Sequence, residues 1–148
     1  MADCPFCKMI SGELASSLVY QDSICSALMS MQPINPGHVL LMPNDHLADL
    51  SELPEETAQH LFLIGRQLAA SIRSSGVDCE GINLYLADGK AAGQNIPHLQ
   101  MHIIPRFEND GFELNISPRG AELPTREDLE NNAYHIRQTF NVLWNNPR

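Results

Sequence analysis

His98, Gln100 and His102 stand at alternate positions of an otherwise apolar run, His98-Leu99-Gln100-Met101-His102-Ile103-Ile104-Pro105-Arg106. Alternate side chains of a β-strand share a face. The pattern therefore predicts one polar face made of these three groups, with Leu99, Met101 and Ile103 turned into the core. An imidazole can trade protons near neutral pH or attack an electrophilic centre. The preceding Gly89-Lys90-Ala91-Ala92-Gly93-Gln94-Asn95 is a loop of small residues whose backbone N–H groups can hold an anion. Such a loop beside a histidine-lined strand suits a phosphate group, although a merely hydrated strand face would look similar. A second constellation is Cys4-x-x-Cys7. Two thiolates at this spacing reach a common tetrahedral metal centre but need two further ligands. The spacing also fits a redox pair, which would require a βαβ context, or two plain surface cysteines.

A scaffold must hold these groups. Cys4 to Ile10, closed by Ser11-Gly12, predicts a short helical turn carrying both cysteines. Ser17–Gln21 and Ile24–Met29 read as strands around an Asp22-Ser23 turn. Pro33-Ile34-Asn35-Pro36-Gly37 cannot extend a strand, because its prolines lack N–H donors. His38–Pro43 is then a third, largely buried strand. Leu61, Ile64, Leu68 and Ile72 recur at three- and four-residue steps, predicting a helix over Pro54–Arg73 that stops near Gly76. Glu55 and Glu56 complement its positive end. Gly81–Ala87 and His98–Arg106 supply the fourth and fifth strands. A last helix starts near Thr125, an N-cap with Asp128 three residues on. Its apolar face is Leu129, Ala133, Ile136, Phe140 and Leu143, and Trp144 is expected to pack it onto its own domain or a dimer partner. His60 and His135 read as ordinary helix residues, Cys25 and Cys79 as small buried apolar ones. The fold class is α+β: an about five-stranded, mostly antiparallel meander sheet with a long central helix and a C-terminal helix.

At 148 residues the chain predicts a single domain, 1–148. Nine Lys plus Arg stand against eighteen Asp plus Glu, a net charge of −9. That balance excludes a non-specific nucleic-acid binder or a protein of anionic membrane surfaces, both of which need a basic face. No apolar run reaches the roughly 18 residues of a membrane span. The first residues have neither the basic nor the apolar region of an export signal, so a cytoplasmic location is expected. A small anionic ligand held by local N–H groups stays compatible with the charge.

Taken together, Pro33-x-x-Pro36-Gly37-His38, then Pro43 and His46, then Gly93-Gln94 and His98-x-x-x-His102-Ile103-Ile104-Pro105-Arg106 resemble the histidine-triad (HIT) family. Cys4-Pro5-Phe6-Cys7 through Glu13, with Val19-Tyr20, is similar to the start of its bacterial members. The likeness covers about residues 4 to 113. It implies a HIT-like fold and a homodimer whose sheets join. It also implies a purine nucleotide as partner, with hydrolysis of a phosphoramidate or dinucleoside polyphosphate at the α-phosphate. Ser30, Ile34, His38, Gln94 and Asn95 would meet the nucleotide, while Gln100 and His102 occupy catalytic positions. Cys4, Cys7, His46 and His98 would complete a structural zinc site.

The sequence departs from the family at the centre of the motif. The family's middle histidine attacks the α-phosphate, and that position here is Gln100. A carboxamide nitrogen shares its lone pair with the carbonyl and is not nucleophilic at neutral pH. Ser30 stands where an Asp or Asn is usual, and Ala87-Asp88-Gly89 where Asn-Asn-Gly is common. With His98 committed to zinc, His102 is the one triad imidazole left. The expected activity is weak or absent, or proceeds by direct attack of water. The other reading is a catalytically silent nucleotide sensor or binding module.

Overall fold

The computed structural model describes residues 3–113 and 123–144, which fall into two compact units, Met1–Phe112 and Glu113–Arg148. In the first, chain order is α1 (Pro5–Ser11), β1 (Leu18–Gln21), β2 (Cys25–Met29), β3 (Val39–Pro43), α2 (Glu55–Ser74), β4 (Gly81–Leu86) and β5 (Met101–Arg106). The five strands form one sheet, β1-β2-β3-β5-β4, and every neighbouring pair is antiparallel. β1, β2 and β3 follow one another directly. The long α2 connection then carries the chain past one strand position, leaving β4 at the edge and β5 inside.

Alternation along the central strands serves two cores. Cys25, Ala27, Val39, Leu41 and Ile103 face α2 and meet Leu61, Ile64, Leu68 and Ile72. Each of those four helix residues is buried, and each burial stabilises the helix on the sheet by about 2 kcal/mol. Gly65 lets α2 approach closely, since a Cβ there would stand 3.0 Å from the Met101 sulfur. On the opposite face Leu28, Leu40 and Met42 pack with Cys4 and Phe6 of the N-terminal segment. β3, buried along its whole length, belongs to both cores. The first helix ends at Gly12, whose φ of +83° is left-handed.

The fifth strand starts three residues later than the alternation predicts. Pro97 has no N–H, the His98 N–H turns back to Ile96, and the Leu99 N–H donates to the Leu47 carbonyl at 2.8 Å. These donors are spent outside the sheet, so pairing begins only at Met101, opposite Leu41 and Leu86. His98 therefore sits in a bend rather than in the strand.

In the second unit α3 spans Arg126–Trp144. Thr125 caps it: its Oγ1 accepts from the Asp128 N–H, and the Asp128 carboxylate accepts from the Thr125 N–H. Leu129, Ile136, Phe140, Leu143 and Trp144 are all exposed. The segment 114–122 lies outside the described residues.

Candidate active cavity and metal cluster

The loop 33–38 and the start of β5 build a cavity of about 430 Å³ beneath α1. Asn35 fixes the loop from below. Its buried amide donates to the Pro105 carbonyl and to the Asp110 carboxylate, each at 2.8 Å. Asp110 is in turn gripped by Arg106, whose guanidinium holds its carboxyl well below the usual range. Gly37, at φ +87°, closes the loop and delivers His38 to the cavity wall.

His38 is buried, and its Nε2 lies 3.0 Å from Nδ1 of His102. Burial, with the His102 ring beside it, pulls the His38 imidazole down to about 4. Burial likewise lowers His102. Both rings are neutral at neutral pH. Gln100 lines the same wall as His102, as alternation predicts, and its Oε1 is buried with no hydrogen-bond partner. An unsatisfied buried acceptor costs about 1–3 kcal/mol, so it marks a place where an occupant can supply a donor. Ser30 and Ile34 also line the cavity, together with Phe6, Met9, Leu28 and Leu40. Among the described residues its lining holds no carboxylate, lysine or arginine.

Gln94 and Asn95 stand elsewhere. The Gln94 amide donates to the Ala48 carbonyl at 2.7 Å and accepts from the Gly89 N–H at 2.9 Å, so both its ends are engaged. Asn95 is exposed beside Asp3, Cys4 and His46. The placement of Gln94 reveals a function that its spacing does not advertise: it ties the 89–94 loop to the segment carrying His46.

The metal-ligating atoms of Cys4, Cys7, His46 and His98 lie within 4.8 Å of one another. Cys4 Sγ is 3.5 Å from His98 Nδ1, and Cys7 Sγ is 3.4 Å from His46 Nδ1. The other nitrogen of His98, Nε2, donates to the Pro43 carbonyl at 3.0 Å. That leaves Nδ1 unprotonated and aimed at both sulfurs, the tautomer and support a metal-bound histidine needs. Burial holds His98 neutral as well. Burial and the neighbouring Cys4 raise the Cys7 thiol, a cost that a bound dication would reverse. Two sulfur and two nitrogen donors fit tetrahedral zinc. The bend before β5 is what turns His98 into this cluster while His102 stays in the cavity.

A second group, Asp22, Cys25 and His60, also gathers ligating atoms. There the Asp22 oxygens already accept from the Ile24 and Cys25 N–H groups, the Tyr20 hydroxyl and His60 Nε2. It is a tie between α2 and the β1–β2 turn, and it gives His60 a partner that helical periodicity could not show. Burial pushes the Cys25 thiol up to about 12, in keeping with an inert, enclosed cysteine.

A family model described as the HIT domain matches residues 11–109. The chain belongs to the HIT family. A crystal structure of a HIT family member from Bacillus subtilis is 33% identical, with a TM-score of 0.83 over 92% of this chain and 96% of that one. A bis(5'-adenosyl)-triphosphatase of Dictyostelium discoideum is 30% identical over 84% of this chain and 86% of its own length. A zinc-bound histidine triad protein from Mycobacterium smegmatis is 29% identical, with a TM-score of 0.71 over 93% and 98%. As a HIT protein the chain stands among relatives that include nucleotide hydrolases, and its Cys/His cluster can hold a metal.

Proposed function

We propose that this HIT protein binds a purine nucleotide in the 430 Å³ cavity, with the α-phosphate against Gln100 and His102 and the nucleoside towards Ser30 and Ile34. The observation carrying this reading is the His38–His102 couple on the cavity wall, which engages one His102 ring nitrogen and leaves the other to an occupant beside the Gln100 amide. Gln100 stands where the family's nucleophile would be, and a carboxamide nitrogen cannot take that role at neutral pH. Hydrolysis is accordingly weak or absent. Any turnover would come from direct attack of water, whose proton passes to the leaving group while His102 hydrogen-bonds the phosphate. Gln94 would act on the nucleotide only through the loop it holds, and Asn95 lies outside the cavity lining.

Zinc on Cys4, Cys7, His46 and His98 would be structural, because four protein ligands close the coordination sphere. When bound it would fix the N-terminal segment to the start of β5. Reduced thiols suit the cytoplasm, where we place the protein. The net charge of −9 speaks against nucleic acid as a partner. We further propose a homodimer joined along β4, an edge strand whose Leu84 and Tyr85 are exposed.

The test is AMP release from an adenosine phosphoramidate and from diadenosine triphosphate, measured for the protein and for Gln100→His. Turnover in the variant alone, at least a hundredfold above the parent, supports an intact cavity lacking its nucleophile. Equal turnover in both would show that position 100 does not decide the chemistry. Tight binding without turnover in either would favour the sensor reading, for which the buried Gln100 acceptor is the supporting feature.

A further inference from the structure

One short helix serves both constellations. Cys4, the N-cap of α1, and Cys7 place their sulfurs 3.5 Å from His98 Nδ1 and 3.4 Å from His46 Nδ1. Pro5, Phe6 and Met9, interleaved with them, form a wall of the cavity. The two roles meet in a pair of rings. Phe6 stands edge-on to His98, with centroids 5.9 Å apart and planes at 76°. A cluster residue thus buttresses a cavity residue directly.

Little else keeps α1 in place. Its seven residues are fewer than the roughly 12–15 that an isolated helix needs in water. Cys4 makes no side-chain cap bond, and no acidic residue stands in the first turn. Apart from the sulfur–imidazole contacts, one hydrogen bond among the described residues joins α1 to the sheet. It runs from the Gln21 amide to the Ile10 carbonyl at a long 3.5 Å. The apolar anchor is Phe6, helped by Met9 and Ile10, on Leu28, Leu40 and Met42. Leu28 and Leu40 are also cavity floor, so the helix and an occupant share one surface. The larger core under α2 does not involve α1. The helix can therefore leave its seat, opening the cavity to water, without unfolding the domain.

We propose that α1 couples the two sites: metal binding by Cys4, Cys7, His46 and His98 seats the helix, and the seated helix completes the cavity wall. The proposal rests on the nucleotide reading above and adds its regulation. The four metal ligands bridge the N-terminal segment to His46 after β3 and His98 before β5. A cavity occupant bridges the same parts, with Phe6 and Met9 on one side and Gln100 and His102 on the other. Two ligands that favour one seated state raise each other's affinity by a common factor. A metal that only stabilised the fold would leave the AMP affinity of the folded chain unchanged.

Calorimetric titration with AMP compares the zinc-loaded chain with the zinc-stripped chain, in the cold, with circular dichroism reporting whether the latter is folded. The stripped chain is expected to bind AMP about tenfold or more weakly, and saturating AMP should tighten zinc, measured by chelator competition, by the same factor. Phe6→Ala cuts the contact between cluster and cavity. It should still bind the metal, as cobalt–thiolate absorption would show, while the mutual factor falls towards one. That variant decides the matter even if the stripped parent unfolds, because linkage through global folding would persist in it. Equal AMP affinity of the folded loaded and stripped chains, or an undiminished factor in Phe6→Ala, would overturn the proposal and leave the nucleotide reading standing. Absence of AMP binding in both forms would overturn both.

Discussion

Two polar constellations flank the start of β5, and they are built on opposite principles. In the Cys/His cluster the polar atoms point at one another: two sulfurs and two ring nitrogens converge within 4.8 Å, and the remaining His98 nitrogen is satisfied by Pro43. In the cavity the polar atoms are satisfied from behind and point outward: His38 and His102 are chained to a backbone N–H, and Gln100 keeps an acceptor without a partner. The first arrangement closes on a small ion and leaves nothing over. The second leaves a donor and an acceptor for something larger. Histidine content does not separate them, since each holds two. What separates them is where the second ring nitrogen of each histidine goes.

The largest way to break the contrast is to strip the cluster. Chelation, or Cys7→Ser, should lower the melting temperature by roughly 10 °C or more, because apo ligands lose their shared ion and leave buried donors unmatched. Differential scanning calorimetry with and without added zinc would read it. An unchanged melting temperature would mean that the cluster is not a structural clamp.

A smaller effect belongs to the cavity. His38 falls from an ordinary value of about 6.5 to about 4 on folding. Below pH 6.5 the unfolded chain therefore binds a proton that the folded chain refuses. Stability from this residue is full above pH 6.5 and declines as the pH falls towards 4, by about 3 kcal/mol in all. Urea titrations at pH 7 and pH 4.5 should show the parent losing more stability than His38→Gln. Parallel losses would put the acid sensitivity elsewhere, with His102, also lowered by burial, the next residue to examine.

The smallest effect sharpens the comparison most. Gln100→Leu replaces the partnerless acceptor with apolar surface of similar size. It should raise stability by about 1 kcal/mol while weakening nucleotide binding. A destabilised variant would show that the Gln100 amide serves the fold rather than a ligand.

Much of this arrangement was legible in the residues. The period of Leu61, Ile64, Leu68 and Ile72 gave α2 and its buried face, and alternation put Gln100 beside His102. The prolines at 33 and 36 marked the loop that carries His38. What escaped was set by partners distant in sequence. Nothing local says that the Leu99 N–H goes to Leu47, so the late start of β5 could not be read from its pattern. The Gln94 amide, the Asn35–Asp110 link and the His60–Asp22 bond are long-range hydrogen bonds of the same sort. Cys4 and Cys7 were legible as a candidate metal pair from their spacing, but His46 and His98 joined them only through the family resemblance, since the four lie on three separate segments.

The bend at 96–98 has a consequence for how this segment can change over evolutionary time. One short stretch of backbone spaces two sites, His98 for one and Gln100 with His102 for the other. Substitutions there act one site at a time: a new side chain at 100 retunes the cavity and leaves the cluster alone. Insertions and deletions cannot be so selective. Adding or removing one residue between 98 and 102 would rotate every following side chain to the other face of the sheet and shift His98 away from its sulfurs in the same event. The segment should therefore tolerate variety in identity and almost none in length.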